Sequence, residues 1–543
     1  MRSFFIRGFM VAAFAATTLL PLAPARAAPA IDDAGAATLK AVVDETLGFY
    51  IDLKQKTGQG LALSGPVEVT PKGSYYEVKI PGAAITNDSA TMDLGTVMIN
   101  ATPEDDGDYR ASIAVPSQMT MKDNDGGERM VITLGSQKFS GIFNPALGAF
   151  VQADAAYDNV VANITPKDDP TDKKKSDPVT ITLGSIASKI AMTRDGDTWS
   201  GPQTTTVRNA LLEFGDNKAS KLSIGEMIAA VSYNKADMAG AKKLRDDLRQ
   251  SMQDTGDVPA RELQKLVEAT MGGMTAVPES GTSNFTMTNL ALDVPAAKAT
   301  AGAQPTSVRL ARLGSSSTFD GVKTDAGALT SKTTLTGLAL TGHEGPLLGL
   351  IPSEASFNIA AANVPFKSAM SNFSTAINSA IEAQSGPDGN SATAEAQAKL
   401  HMEQAVASLP ELLAKAGTTI TISDTYTTAS DLSSTLNGAL TATSGAPYIF
   451  AGKTTLTLKG IDELIAKLQE MSRTSNNPRA AGYAQMLIIM QLSGQLSKAA
   501  DGKSERTYAF ELTPDGKVLL NGADMKAMIP KGSAPAAPAP ATP

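Results

Sequence analysis

Two runs of alternating polar and apolar residues decide the fold class of this chain. Residues 75–80 read YYEVKI, and residues 109–115 read YRASIAV. In both runs every second residue is apolar, and successive side chains of a β-strand point to opposite faces of a sheet. The two runs therefore predict strands that turn one face toward a core and the other toward water.

The same pattern continues from Gly60 to about Phe214, interrupted by short groups of turn-forming residues. These groups are PKG at 71–73, NDGG at 124–127 and RDGD at 194–197. Glycine, asparagine and aspartate suit tight turns, because glycine tolerates a positive φ and the short polar side chains bond to nearby backbone. The pattern predicts antiparallel hairpins. Strand patterns return from Asn284 and between Thr418 and Leu458, and a last hairpin turns at residues 513–517.

Helices are predicted where apolar residues recur at helical spacing. The first helix follows an N-cap at Asp32 or Asp33 and turns one face inward, formed by Leu39, Val42, Val43, Leu47 and Tyr50. Another begins at Pro365, with an inward face of Phe366, Met370, Phe373, Ile377 and Ile381. Two more are expected between Ile461 and Ala500, and residues 486–490 suit a buried helical turn.

A helical block is predicted over residues 216–280. Ser223 and Glu226 have the spacing of a capping box, and the helix would run to about Met252. A second helix, Pro259 to Met274, would bury a stripe that includes Leu266. Ser408 and Glu411 form a second capping-box pattern further along.

The predicted fold class is α+β: extended antiparallel β-sheets in two related halves, with packed amphipathic helices and a helical block between them. The domains would be a signal peptide at 1–27, a helix plus β-meander at 28–215, the helical block at 216–280, a C-terminal α+β domain at 281–531 and a disordered tail at 532–543. The tetrapeptide TLGS occurs twice, at residues 133–136 and 182–185. The sequence leaves open whether this repetition reflects an internal duplication or a chance match.

The first 27 residues predict export. Arg2 and Arg7 precede an uncharged apolar stretch, and Ala25 and Ala27 supply the small residues that signal peptidase requires. The apolar stretch is shorter than the ~20 residues of a bilayer span, and no later segment is long enough for one. Because cysteine is absent, the exported fold is expected to be held by burial rather than by disulfides. We expect a periplasmic protein without a transmembrane segment in its mature form.

Charge and composition exclude several functions. The net charge of −8 repels phosphate backbones, so nucleic acid is not an expected partner. The two histidines, His343 and His401, lack the spacing that brings two ligands to one helix face, and we expect no metal or other cofactor. Two acidic stretches, residues 104–108 and 123–126, lack the spacing of a calcium loop and are interpreted as turns.

No catalytic residues are predicted, although one alternative stays open. Ser232 and Lys235 form a Ser-x-x-Lys motif, and residues 56–58 read KTG. Serine–lysine enzymes use both elements, but in the reverse order along the chain. We interpret Ser232 and Lys235 as ordinary helix residues, and KTG as the end of the first helix. Trp199 is expected to cover a sheet face rather than to stack on a sugar.

Several stretches of the last 200 residues resemble known exported proteins. These are residues 338–342, LALTG; residues 351–359, IPSEASFNI; and residues 363–366, NVPF. They are similar to uncharacterised exported proteins of alphaproteobacterial envelopes. The stretch from TLTLKG at 455–460 to LNG at 520–522 also resembles the YdgA-like periplasmic proteins. The resemblance implies long curved β-sheets with packed helices in the periplasm, and no site residues.

The predicted function is non-enzymatic. Many amphipathic strands without converging reactive groups suit a periplasmic scaffold or binding protein, which would offer a sheet-lined groove to a lipid or to a partner envelope protein. The alternatives are a serine–lysine hydrolase or another envelope enzyme, and a surface or adhesive protein.

Overall fold

A computed structural model describes residues 31–57, 60–86, 90–166, 177–215, 218–243, 246, 278–296, 304–342, 348–385, 392–475 and 478–528. The predicted signal peptide, the helix Pro259–Met274 with Leu266, His343 and the tail at 532–543 lie outside these residues.

The protein is mostly β, which corrects the predicted α+β class. Strands account for 56% of the structure and helices for 23%, and the strands pair antiparallel. By its internal contacts the chain divides into two compact units. Unit 1 contains residues 1–322 and 371–404, and unit 2 contains residues 323–370 and 405–543.

Unit 1 is a β-meander with one long helix, α1 (Asp33–Thr57). Its strands are β1 (Gly60–Ala62), β2 (Glu68–Pro71), β3 (Tyr76–Thr86), β4 (Ala90–Pro103), β5 (Tyr109–Ala114), β6 (Gln118–Asp123), β7 (Glu128–Thr133), β8 (Ser136–Asn144), β9 (Ala149–Ile164), β10 (Val179–Ala191), β11 (Thr193–Asp195), β12 (Thr198–Phe214), β13 (Ser220–Ala236), β14 (Ser280–Val294) and β15 (Thr306–Asp320). Strands β9, β10, β12, β13, β14 and β15 pair side by side in that order.

Helix α1 forms where it was predicted and covers the beginning of this sheet. Asp32 is the N-cap, because its Oδ1 accepts a hydrogen bond of 2.8 Å from the backbone N–H of Gly35. The inward face packs on β3, β4, β5, β8 and β9, and Leu39 and Val43 are each 1% exposed. This cluster is the core of unit 1.

Unit 2 is a smaller antiparallel meander with a helical hairpin. Its strands are β16 (Gly327–Thr336), β17 (Ala339–Thr341), β18 (Glu354–Val364), β19 (Thr419–Thr428), β20 (Ser433–Ala442), β21 (Phe450–Lys459), β22 (Gln495–Lys498), β23 (Ser504–Leu512), β24 (Val518–Leu520) and β25 (Ala523–Asp524). A short 3-10 turn spans Leu348–Leu350. The helices after residue 322 are α2 (Phe366–Ser385), α3 (Ala392–Ala416), α4 (Ile461–Ser475), α5 (Pro478–Ser493) and α6 (Met525–Met528). Helices α2 and α3 each contribute residues to both units.

The core of unit 2 lies between the hairpin α4–α5 and the strands beside it. Ile461 and Ile465 of α4 pack with Leu458 of β21 and Tyr508 of β23. A second cluster joins the two helices through Leu464, Leu468, Ala480 and Ala484. The predictions of α2, of these two helices and of the closing hairpin are confirmed.

The prediction of a helical block is wrong at its start. Residues 220–236 form strand β13, which pairs with β12 and β14 along most of its length. Ser223 and Glu226 are therefore strand residues, and so are Ser232 and Lys235. Helix begins later, at residues 238–243.

The second capping box is also wrong. Helix α3 runs through Ser408 and Glu411 without interruption, with Pro410 inside it. Instead of capping a new helix, the Ser408 hydroxyl donates a hydrogen bond of 2.7 Å back to the carbonyl of Ala405. Glu411 accepts a hydrogen bond from Ser444 rather than from its own helix terminus.

An alternating row of glycine and asparagine crosses the meander of unit 1. From the residue before β8 to β14, the residues at this level are Gly135, Asn159, Gly184, Asn209, Gly225 and Asn289. The three asparagines have φ between 51° and 54°. A Cβ built on each glycine would lie 2.8–3.0 Å from the Cβ of an asparagine in this row. Asparagine tolerates the left-handed region, and glycine provides the space beside it.

The repeated TLGS tetrapeptides have equivalent places in this row. Ser136 and Ser185 both pair with Asp158 of β9, one from each side. The preceding glycines, Gly135 and Gly184, therefore flank Asn159. The repeated tetrapeptide therefore corresponds to the same local arrangement, a glycine beside Asn159, on both sides of β9.

The glycine–asparagine row reverses which residues face the core. Tyr157 and Val160 of β9 belong to one hydrophobic cluster although they are three residues apart, and so do Leu183 and Ile186 of β10. In a regular strand, residues three apart point to opposite faces. The left-handed residue thus shifts the alternation by one, and the apolar side chains on both sides of the row share one face of the sheet.

A matched pair of variants tests this row. Asn209→Val is expected to lower the free energy of unfolding by about 1–2 kcal/mol, because a β-branched residue is strained in the left-handed region. Asn209→Gly is expected to change it far less, because glycine adopts that φ readily. Urea midpoints of the two variants and the parent protein measure the difference. Equal midpoints for the two variants would contradict this account.

Candidate functional site

Three rows of apolar side chains run across β9, β10, β12, β13, β14 and β15. The first row lies on one side of the glycine–asparagine row and consists of Tyr157, Ile186, Val207, Met227, Met287 and Leu313. The second lies on its other side and consists of Val160, Leu183, Ala210, Ile224, Leu290 and Leu310. The third follows and consists of Ala162, Ile181, Leu212, Leu222, Leu292 and Val308. We call these 18 residues the apolar band.

The rows share one face because of the shift in alternation. On β9, β10 and β12 all three rows belong to a single hydrophobic cluster or lie next to it in register. The same lateral pairing extends them to β15. With strands spaced ~4.8 Å apart and residues ~3.3 Å apart, the band is about 24 Å long and about 17 Å wide.

The opposite face of the same strands is polar and charged. One row there pairs Arg208 with Glu226, whose Nε and Oε1 atoms are 2.8 Å apart. Another row places Glu213 beside Lys221, with Oε1 and Nζ 3.0 Å apart. Charged pairs of this kind are usually found on surfaces that face water. The sheet is therefore amphipathic, and its apolar face is the one that needs a cover.

Cover is unevenly distributed along the band. Val160, Ala162 and Leu183 at the β9–β10 end are buried, and Tyr157 also packs against the core under α1. Towards β15 most band residues are only half-buried, and the neighbouring Phe285 and Val294 are each 37% exposed. Within the described residues, no helix makes an extensive contact with β10 or β12 to β15.

The serine–lysine pair is not arranged for catalysis. The Lys235 ammonium lies 3.0 Å from the carboxylate of Glu279, and this hydrogen bond together with the charge of Glu279 raises the pKa of Lys235. A lysine that acts as general base needs a lowered pKa, so that it is neutral near pH 7. Ser232 is paired in the middle of the sheet with Pro202 and Thr282. The other element of the motif, residues 56–58, reaches only the end of α1 at Thr57 within the described chain.

The acidic stretches act as turns, as predicted. Asp123 accepts hydrogen bonds from the backbone of Asp125 and Gly127 through Oδ1, and its Oδ2 binds Arg129. Glu104 and Asp108 close the other turn through a backbone hydrogen bond of 2.8 Å. Across the ranges given above, no group of three or more metal-ligating side chains occurs.

Asp108 is the titratable group with the most unusual environment in these turns. Burial, with a contribution from the negative charge of Asp106, raises the pKa of Asp108 to about 6. Asn144 donates a hydrogen bond of 2.7 Å to its Oδ1 and partly offsets this effect. The backbone N–H of Asp108 donates a hydrogen bond of 3.1 Å to Oδ1 of Asp106, so we assign Asp108 to the turn.

The remaining residues singled out in the sequence have structural surroundings. Trp199 is buried against Leu147, Val151 and Met192, which confirms its assignment to a sheet face. His401 is half-buried on α3. In the described part of the chain, no helix combines the length and apolar character needed to cross a bilayer.

The apolar band was not predicted from the sequence. Each strand alone reads as an ordinary half-buried strand, and only the register between six strands shows that their apolar positions coincide. Comparison of the chain with models of known protein families, with characterised proteins and with solved structures gives no match.

Proposed function

We propose that the protein is a non-enzymatic lipid-binding protein of the bacterial periplasm, and that acyl chains lie along the apolar band. The observation that carries this proposal is the coincidence of 18 apolar side chains on one face of six strands whose other face is charged. Hydrocarbon removed from water gains ~0.8 kcal/mol for each buried CH₂ group.

The dimensions and chemistry of the band favour a lipid over a polar ligand. The band offers no charged or hydrogen-bonding side chain apart from the Tyr157 hydroxyl, so it gives a sugar or a peptide little to bind through. Its part from β12 to β15, where most band residues are only half-buried, is about 14 Å long, so it can accommodate a segment of an extended acyl chain. The absence of cysteine and the predicted signal peptide fit an exported protein held together by burial.

Binding of a fluorescent fatty acid tests the proposal. The double variant Met227→Gln, Met287→Gln places two amides in the middle of the first row, and we expect its affinity for cis-parinaric acid to fall by at least about tenfold. Fluorescence titration of the purified protein measures this affinity. Native mass spectrometry of protein purified from the envelope is expected to show co-purified lipid.

Ile228→Gln is the matched control. Ile228 follows Met227 on β13, is also half-buried, and pairs with Thr206 and Thr286 on the opposite face. Its substitution is expected to leave the affinity within about twofold of the parent protein, a difference of ~0.4 kcal/mol. Failure of the parent protein to bind the probe, or equal losses in both variants, would refute the proposal.

A further inference from the structure

Asp108 is a buried carboxyl group that joins two turns beside the core of unit 1. It ends the β4–β5 turn, residues 104–108, and is 9% exposed. Its Oδ1 accepts a hydrogen bond of 2.7 Å from Nδ2 of Asn144, the last residue of β8 before the β8–β9 turn, residues 145–148. Aspartate is seldom buried this far without a cationic partner. The one neutral donor therefore leaves the charge of Asp108 poorly compensated.

The donor that Asp108 meets is held in place. The Asn144 side chain also accepts a hydrogen bond of 3.0 Å through Oδ1 from the backbone N–H of Leu147, which fixes the orientation of the amide. Beside this contact, Tyr109 pairs with Phe143 in the core under α1. The two turns are thus joined through a pair of core residues on one side and through Asp108 and Asn144 on the other.

The charged groups that face Asp108 are mostly negative. On its own turn these are Glu104 and Asp106, and the guanidinium of Arg110 is taken up by Glu104, with Nε and Oε1 2.7 Å apart. The β8–β9 turn has the sequence PALG and brings no charge. Arg194 of β11 contributes the weakest of the effects on Asp108. In the part of the chain that the structure describes, Asp108 forms no ion pair.

This environment gives the stability of unit 1 a pH dependence of definite sign. Burial, with the negative charges of Asp106 and Glu104, raises the pKa of Asp108 to about 6, whereas an exposed aspartate has a pKa of ~4. The folded protein therefore binds this proton more tightly than the unfolded chain does. The stability that the protonated group contributes is complete below about pH 4 and is lost as pH rises through about 6.

We propose that Asp108 is a pH-sensitive contact between the β4–β5 turn and the β8–β9 turn. When it is protonated, the neutral side chain stays buried and its carbonyl oxygen accepts the hydrogen bond from Asn144. When it is ionised, hydration of the carboxylate and repulsion by Asp106 and Glu104 loosen the two turns. The proton is exchanged with solvent. This contact uses no residue of the apolar band, so it can fail without the proposed function and the reverse.

Urea unfolding of the full chain at several values between about pH 5 and about pH 7.5 tests the proposal. Trp199, the one tryptophan of the chain, packs with Leu147 of the β8–β9 turn, so its fluorescence reports on unit 1. Asp108→Asn keeps the shape and the acceptor oxygen but cannot ionise. Its urea midpoint is expected to match that of the parent protein near pH 5 and to exceed it near pH 7.5. The difference between the two proteins isolates Asp108 from all other carboxyl groups.

Asp105→Asn is the matched control, because Asp105 lies in the same turn and is exposed. It loses the same charge, and its pH dependence is expected to equal that of the parent protein. Asp106→Asn removes a neighbouring negative charge, so the stability change of the parent protein is expected to move to higher pH resistance only through a lower pKa of Asp108, with its midpoint at lower pH. The proposal is overturned if Asp108→Asn differs from the parent protein equally at both ends of the pH range. It is also overturned if Asp106→Asn leaves the midpoint of the stability change where it was.

Discussion

Replacement of Leu468 by alanine is expected to destabilise unit 2 by about 2–5 kcal/mol. Leu468 has no exposed surface and packs with Leu464, Ala480 and Ala484 between α4 and α5. The loss combines the transfer of the side chain to water with the cavity left behind. Small alanines already hold the two helices close together, so neighbouring side chains have little room to refill the space.

Urea unfolding followed by circular dichroism at 222 nm measures this loss, because helical signal reports on α4 and α5. Glu470→Ala is the control on the same helix. Its side chain is 62% exposed and lies 3.6 Å from Arg473 at the closest atoms, and it is expected to contribute less than ~0.5 kcal/mol. A midpoint for Leu468→Ala close to that of the control would show that the helix pair is not a packed core.

Removal of the Arg506 guanidinium is expected to have the second large effect, a loss of about 2–4 kcal/mol. Arg506 binds Asp462 through two hydrogen bonds, Nε to Oδ1 at 2.8 Å and Nη2 to Oδ2 at 3.0 Å. A third nitrogen, Nη1, donates to the backbone carbonyls of Gln491 and Gly494. Arg506→Ala leaves the half-buried carboxylate without its cationic partner and removes the hydrogen bonds from Arg506 to the end of α5.

The pH dependence of this loss has a definite sign. The hydrogen bond from Arg506 lowers the pKa of Asp462, so the pair stabilises the folded protein above the ordinary carboxyl pKa and loses this effect as pH falls through the lowered value. The difference between parent protein and Arg506→Ala is therefore expected to be largest near pH 7 and to shrink below about pH 4.

Arg506→Lys and the double variant Asp462→Asn, Arg506→Met separate charge from geometry. Lysine keeps the charge but cannot form the two-pronged contact, and we expect it to recover less than half of the loss. The double variant leaves no unpaired charge and is expected to be more stable than Arg506→Ala. A constant loss from pH 7 to pH 3 would contradict the assigned role of Asp462.

Much of the fold could be predicted from local patterns. Helix α1 with its cap at Asp32, the hairpins of unit 1 and the pair α4–α5 all follow from periodicity and turn residues within a short window. Each of these elements is determined by residues that are close together in sequence.

Strand β13 was predicted as a helix because of the spacing of its apolar residues. Ile224, Met227, Ile228 and Val231 have the spacing i, i+3, i+4, i+7, which is the pattern of a helix face. In the structure, the shift of alternation at Gly225 puts Ile224 and Met227 on the same face of a strand. A strand whose alternation is shifted in this way therefore has apolar residues at helical spacing. The chance match of Ser223 and Glu226 to a capping box also favoured the prediction of a helix.

The candidate site could not be predicted because it depends on register between distant strands. Met227 and Met287 meet across β13 and β14 although 43 residues separate the two strands. No local pattern states which residue of one strand faces which residue of the next. The prediction of a buried helical turn at residues 486–490 is wrong for a different reason. Met486 and Ile489 of α5 are 56% and 67% exposed, and apolar sequence alone does not reveal whether a helix face is covered.

The glycine–asparagine row also helps to fix the register in which neighbouring strands pair. A slip of one residue would turn apolar side chains to the charged face and is rejected by burial alone. A slip of two residues keeps every apolar side chain on the correct face, so burial alone discriminates poorly against it. Such a slip would place the left-handed asparagine of one strand opposite a residue with a Cβ, as at Ile186 or Thr182 beside Asn209, where Gly184 leaves room. From β9 to β14, each of the long strands thus carries a glycine or an asparagine that helps to align it with its neighbour.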